Sequence, residues 1–333
     1  MNEKVGNPFH QWSRLEQPRL GSRVVFATDD FFAPKERLIL PTEPVFIPGK
    51  YDEHGKWMDG WESRRKRVSG HDCAIVRLGI PGLIRGFDID TRHFTGNYPP
   101  AASIDVCVSD DEVPDESAWQ ELVPRRELEG DSHHYVAAES DGSVTHCRLN
   151  IYPDGGVARL RIYGEVRPLP ARFSRDDVID LFAIENGGRA VACNDEHFGS
   201  MHNLNLPGRG INMGDGWETA RRRQPGNDWV VLKLGCPGTI ERVQIDTAHF
   251  KGNYPDRAEL RAAMMTGNED FEASSGDWPV LLAATQLEAD CVHEFAAELA
   301  DVGIVSHLRL NIFPDGGVSR LRVFGRPAEH DDG

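Results

Sequence analysis

Short apolar runs rich in β-branched residues punctuate this chain, separated by frequent turn residues. They are Ala74 to Leu78, Leu83 to Asp90, Ala102 to Val108, Cys147 to Tyr152 and Arg159 to Tyr163. A second set follows at similar spacing: Val230 to Leu234, Ile240 to Asp246, Ala258 to Met264, Leu308 to Phe313 and Arg320 to Phe324. Arg159-Leu160-Arg161-Ile162-Tyr163 alternates polar and apolar side chains, the signature of a strand with one face buried. Several such strands within about 150 residues predict a β-sandwich. One helix is predicted, over Ser174 to Ala183. Ser174 is placed to cap it, Asp177 sits at the capping-box position, and Val178, Leu181 and Phe182 share one face. Arg167-Pro168-Leu169-Pro170 reads as a stiff linker, which puts two domains at residues 1–168 and 169–333. The polar tail from Ala328 to Gly333 is expected to fray.

The two sets of strands belong to an internal duplication. Asp59-Gly60-Trp61-Glu62 returns as Asp215-Gly216-Trp217-Glu218, and His93-Phe94-Thr95-Gly96-Asn97-Tyr98-Pro99 as His249-Phe250-Lys251-Gly252-Asn253-Tyr254-Pro255, both displaced by 156 residues. Arg148-Leu149-Asn150-Ile151-Tyr152-Pro153-Asp154-Gly155-Gly156-Val157 returns with Tyr replaced by Phe at Arg309 to Val318, displaced by 161. Such a period is far too long for a solenoid unit of roughly 20–50 residues. Near the start of each copy, Ala27 to Asp30 matches Ala192 to Asp195 at a displacement of 165, so the first copy carries about nine extra residues within Phe31 to Met58. That Pro-containing loop is a candidate functional or assembly element. Most of what repeats is polar, and polar residues repeat either because they hold turns or because they do chemistry.

Bulk properties narrow the classes. A length of 333 residues, 39% hydrophobic and 27% charged, fits two ordinary globular domains. No stretch of 18 apolar residues offers a membrane span, and the polar start of the chain shows no signal-peptide pattern. The six cysteines form no Cys-x-x-Cys pair and have no Cys counterparts between copies, so reduced, mostly buried thiols in a cytoplasmic protein are expected. A net charge of −16 argues against nucleic acid or an anionic membrane as partner. An anionic small substrate would then need a local Arg cluster to capture it.

With these motifs in view, the chain resembles the allantoicase family. The resemblance rests on Asp29-Asp30-Phe31-Phe32-Ala33, on Trp57 to Arg67, on Asp90 to Pro99, and on both Asn-Ile-(Tyr/Phe)-Pro-Asp-Gly-Gly blocks, and it covers nearly the whole chain. It implies an all-β protein of two tandem jelly-roll-like β-sandwiches of the galactose-binding or discoidin type. It implies a hydrolase that converts allantoate and water to ureidoglycolate and urea in purine degradation. No cofactor is called for; at most a weakly held divalent ion is foreseen. The expected partner is the small molecule allantoate, and a homo-oligomer is expected.

Allantoate carries a carboxylate and two ureido groups on one carbon. Loss of urea needs a proton for the leaving nitrogen, a water, acceptors for ureido N–H groups, and an Arg for the carboxylate. Glu62 and Glu218 are candidate acid/base groups, as are His93 and His249, whose side chains titrate near neutrality. Asp59, Asn97, Asp215 and Asn253 are candidate substrate contacts. Against each stands a turn-forming role. Arg64-Arg65-Lys66-Arg67 aligns with Ala220-Arg221-Arg222-Arg223; Arg65 and Arg221, Arg in both copies, are the candidate clamps. Asp154 and Asp315, within Pro-Asp-Gly-Gly, read mainly as architecture, and Asn150 and Asn311 just before them face the same choice. His93 with Asp90, and His249 with Asp246, could ligate a metal, but no His-x-x-x-His or Cys cluster supports one; the adjacent His133 and His134 show no repeat. The copies differ where Arg92 becomes Ala248, Thr95 becomes Lys251 and Arg64 becomes Ala220, differences that could make one copy catalytic and the other a scaffold. The rival classes are a non-catalytic tandem carbohydrate-binding module and a purely structural subunit.

Overall fold

The longest element of each repeat is a 19-residue strand, Asp72–Asp90 in the first and Asp228–Asp246 in the second. The apolar pattern predicts each as two short strands, because Gly79, Pro81 and Gly82, or Gly235, Pro237 and Gly238, interrupt it. The chain runs straight through and changes partners there instead. The first half of Asp72–Asp90 pairs with Arg23–Ala27 and Val144–Tyr152; the second half pairs with His133–Ala137 and Arg159–Val166. A proline, which cannot donate to a ladder, is tolerated at such a changeover. Gly79 permits it sterically, since a Cβ there would lie 2.0 Å from the Leu20 carbonyl oxygen.

This computed structural model describes residues 6–167, 174, 176–265 and 270–328. Two compact units divide it, Met1–Arg167 and Pro168–Gly333. Each is a β-sandwich built from one eight-stranded antiparallel sheet that the long strand carries from layer to layer. One layer adds Ala101–Cys107 and Gln120–Glu127 beyond Val144–Tyr152; the other ends on Ser13–Arg14. The second unit repeats this with Arg257–Ala263, Val280–Gln286 and Ile179–Asp180. Alternate residues fill the interior, as in Val230, Leu232 and Leu234 against Leu308, Leu310 and Ile312. The fold is all-β; among the described residues the one α-helical turn is Phe271–Ser274.

The helix expected over Ser174 to Ala183 does not form. The Asp177 carboxylate accepts the Ser174 N–H at 2.8 Å, so the capping signature makes a single turn. Ile179–Asp180 then pairs with Phe324 and Gly325, and the Asp180 carboxylate accepts the Val323 N–H at 3.0 Å. Leu181 and Phe182 are fully buried. An available sheet edge outcompetes a weak helix signal here. Pro168 to Pro170 of the linker, and the tail after Ala328, lie outside the described residues. The start of the alignment also shifts by one: Arg23–Ala27 matches Arg189–Cys193 at 166, so the first loop is ten residues longer, not nine. All six cysteines are free, but only Cys107 and Cys147 are fully buried and the other four are half-buried. Among the described residues, no helix is long and apolar enough to cross a membrane.

Candidate functional site

Three loops meet at one end of each sandwich, and the Pro-Asp-Gly-Gly turn ties them together. Trp61–Glu62 forms a two-residue strand paired with Gly156–Val157, and Trp217–Glu218 pairs with Gly317–Val318. Strand alternation sends each Trp inward, fully buried, with its indole N–H donating to the carbonyl of Asp29 (2.8 Å) or Asp195 (2.9 Å). The neighbouring Glu then points outward. From the turn, Asp154 accepts the Lys66 N–H at 2.8 Å, and the Gly156 N–H donates to the Asn97 carbonyl at 2.7 Å. The second repeat copies this: Asp315 accepts the Arg222 N–H at 2.8 Å, and the Gly317 N–H donates to the Asn253 carbonyl at 2.8 Å. Glycine is required, because a Cβ on Gly156 would lie 2.1 Å from the Phe94 ring and one on Gly317 2.0 Å from Phe250.

What these loops present is a carboxyl, an amide and a guanidinium. The Asn97 amide donates to Glu62 at 2.8 Å, and the Asn253 amide donates to Glu218. Burial pushes the Glu62 carboxyl above its ordinary range, with the Asn97 hydrogen bond and the Lys56 charge pulling partly back. In the basic run, Arg64 is paired with Asp29, Lys66 with Asp72 and Arg222 with Asp228. Arg65 and Arg221 are exposed and, among the described residues, make no ion pair or hydrogen bond. In the second repeat these groups border a cleft of about 430 Å³, lined by Phe198, Glu218, Arg221, Asn253, Tyr254 and Asp315 among others. That volume suits a small ligand.

Comparison with known proteins settles the family. The allantoicase repeat model matches residues 14–167 and again 179–328. The chain belongs to the allantoicase family. It is 56% identical over 96% of both chains to a probable allantoicase of Burkholderia pseudomallei, and 53% identical to one of Pseudomonas syringae over 96% of this chain and 98% of that one. A crystal structure of allantoicase from Saccharomyces cerevisiae superposes with a TM-score of 0.79 at 38% identity, covering 93% of this chain and 92% of that one. Allantoicase is an enzyme hydrolysing allantoate, and a carbohydrate-binding module is the less favoured reading.

Not every repeated polar residue reaches this cleft. Asp59 is buried, and its carboxylate takes the Arg159 guanidinium at 2.9 Å and the Val45 N–H at 2.9 Å. Asp215 does the same with Arg320 and the Ile211 N–H, and it does not line the cleft. The Asp residues expected to contact substrate are therefore engaged in anchoring the loop before them. His249, expected with His93 to transfer protons, is likewise not among the residues lining the cleft of the second repeat. Both sit at φ 71°, where His is tolerated better than most residues. Their Nε2–H groups donate to the carbonyls of Pro44 (3.1 Å) and Gly210 (2.8 Å), and their backbone N–H groups to Asp131 and Asp290. Asp90 is taken by Arg92, and Asp246 by Arg209, so neither His–Asp pair converges as a ligand set. Among the described residues no group of three His, Cys, Asp or Glu side chains could hold a metal.

Two signals were missed in the sequence. His134 does have a counterpart, His293: each accepts a backbone N–H on Nε2, from Glu129 or Glu288, at 2.8 Å. Shifted spacing between the copies hid the match. Phe198, 62% exposed on the cleft wall, corresponds to Phe32, once the 166-residue displacement is applied.

Proposed function

We propose that this chain hydrolyses allantoate to ureidoglycolate and urea at the Glu–Asn–Arg cleft. One observation carries the reading: in each repeat a Glu, the Asn that donates to it and an Arg without a partner among the described residues emerge from loops that the same turn holds together, and in the second repeat they line one cleft. The guanidinium supplies a two-pronged donor for the substrate carboxylate. The Asn, already donating to the Glu, keeps its side-chain oxygen as an acceptor for a ureido N–H. The protonated Glu gives its proton to the leaving ureido nitrogen. The C–N bond breaks with its electron pair going to that nitrogen, and neutral urea departs. The lone pair of the remaining ureido nitrogen forms a C=N bond to the central carbon. Water then attacks that carbon while the Glu carboxylate takes its proton, which restores the acid and leaves ureidoglycolate. One carboxyl thus serves as acid and then base. The six free thiols support a reducing, cytoplasmic setting.

Urea release from allantoate by the purified protein tests the reading, with loss of release expected when Glu62 and Glu218 are both changed to Gln. Absence of urea from the unmodified protein, with and without added divalent metal, would overturn it.

A further inference from the structure

Duplication leaves open whether the chain has one working site or two. We infer that each repeat is a complete active site, so that a single chain turns over substrate at two places. This rests on the proposed role of the Glu–Asn–Arg cleft.

Three observations carry it. First, every bond that shapes each constellation stays within its own repeat. Glu62, Asn97 and the loop bearing Arg65 are tied by Asp154 to Gly156; Glu218, Asn253 and the loop bearing Arg221 are tied by Asp315 to Gly317. The cleft of the second repeat is lined only by residues between Phe198 and Gly316. Second, the Arg and Glu kept in both repeats are not groups that the fold itself requires. In both repeats an exposed Arg makes no ion pair or hydrogen bond among the described residues, and a partly buried Glu carboxylate meets an Asn amide rather than a cation; neither is required of a scaffold. A repeat that only scaffolded would need the turn, the buried Trp and the buried ion pair, and nothing more.

Third, two of the three differences singled out between the copies concern anchoring, and the other, Thr95 to Lys251, adds a charge beside the cleft rather than removing a group from it. Arg92, which pairs with Asp90, becomes Ala248, but Arg209 reaches Asp246 from another loop. Arg64, which pairs with Asp29 through both its guanidinium and its backbone N–H, becomes Ala220, which keeps only the backbone bond, to Asp195. Neither change removes a cleft group. The loss of Arg92 and Arg64 is therefore absorbed by the loops behind each site.

The test compares Glu62→Gln with Glu218→Gln in the full chain, at saturating allantoate, with thermal melts to confirm that both variants are folded. Each single variant is expected to keep roughly half of the kcat per chain, within about 30–70%, as two independent sites require. Total loss in one variant and full rate in the other would overturn the inference and leave the cleft reading standing, with one repeat catalytic. Total loss in both would overturn it in favour of one composite site. Full rate in both would overturn the inference and the cleft reading together.

Discussion

A carboxyl that must both give and take a proton benefits from sitting above its usual range, and burial does this for Glu62 while Asn97 restrains it. Because the Asn97 amide favours the charged form, removing it must raise the carboxyl further. In a Glu218→Gln background, where the first repeat supplies the rate, Asn97→Ala is expected to move the limb of the pH–rate profile set by Glu62 to higher pH. The direction is the same whether that limb reports the acid or the base role. A profile that stays put, measured from pH 4 to 9, would remove Glu62 from proton transfer. At Arg65 and Arg221 the expectation is different. Changing both to Lys keeps the charge but loses the two-pronged geometry, so KM is expected to rise about tenfold with kcat little changed. A fall in kcat alone would contradict a clamp for the carboxylate.

Among elements, the Pro-Asp-Gly-Gly turn is the keystone, since it fixes the loops through backbone bonds and the Asp154 carboxylate. Gly156→Ala places a methyl against Phe94 and is expected to destabilise the first unit by about 1–3 kcal/mol, read by thermal or guanidinium unfolding. The buried Asp59–Arg159 pair makes the complementary case. Asp59→Ala strands a guanidinium that is fully buried, and a loss of about 3–5 kcal/mol is expected. Wild-type stability in that variant would contradict an anchoring role. These elements also show what the sequence could and could not convey. The repeated Glu, Asn and Arg were legible, and so were the strands with alternating cores. Repetition alone could not separate Glu62 from Asp59, or Asn97 from His93, because loop anchors repeat as faithfully as cleft groups. The difference lies in which partner each side chain finds. The strand Gln120–Glu127 escaped notice because it is a charged edge with mostly exposed side chains.

For the whole molecule, two units, each Met1–Arg167 or Pro168–Gly333, carry the same three-loop device, and the family relationship runs through both. With a net charge of −16, the proposed capture of the substrate carboxylate falls to local Arg groups, Arg221 at the cleft of the second repeat and Arg65 on the matching loop of the first. The central claim is that Glu62 and Glu218 carry the proton transfers of allantoate hydrolysis. Its most direct test is the kcat of the Glu62→Gln, Glu218→Gln double variant, measured by urea release beside a thermal melt. A loss of about 10²–10⁴-fold with an unchanged melting temperature is predicted; a rate within twofold of the unmodified protein would contradict it.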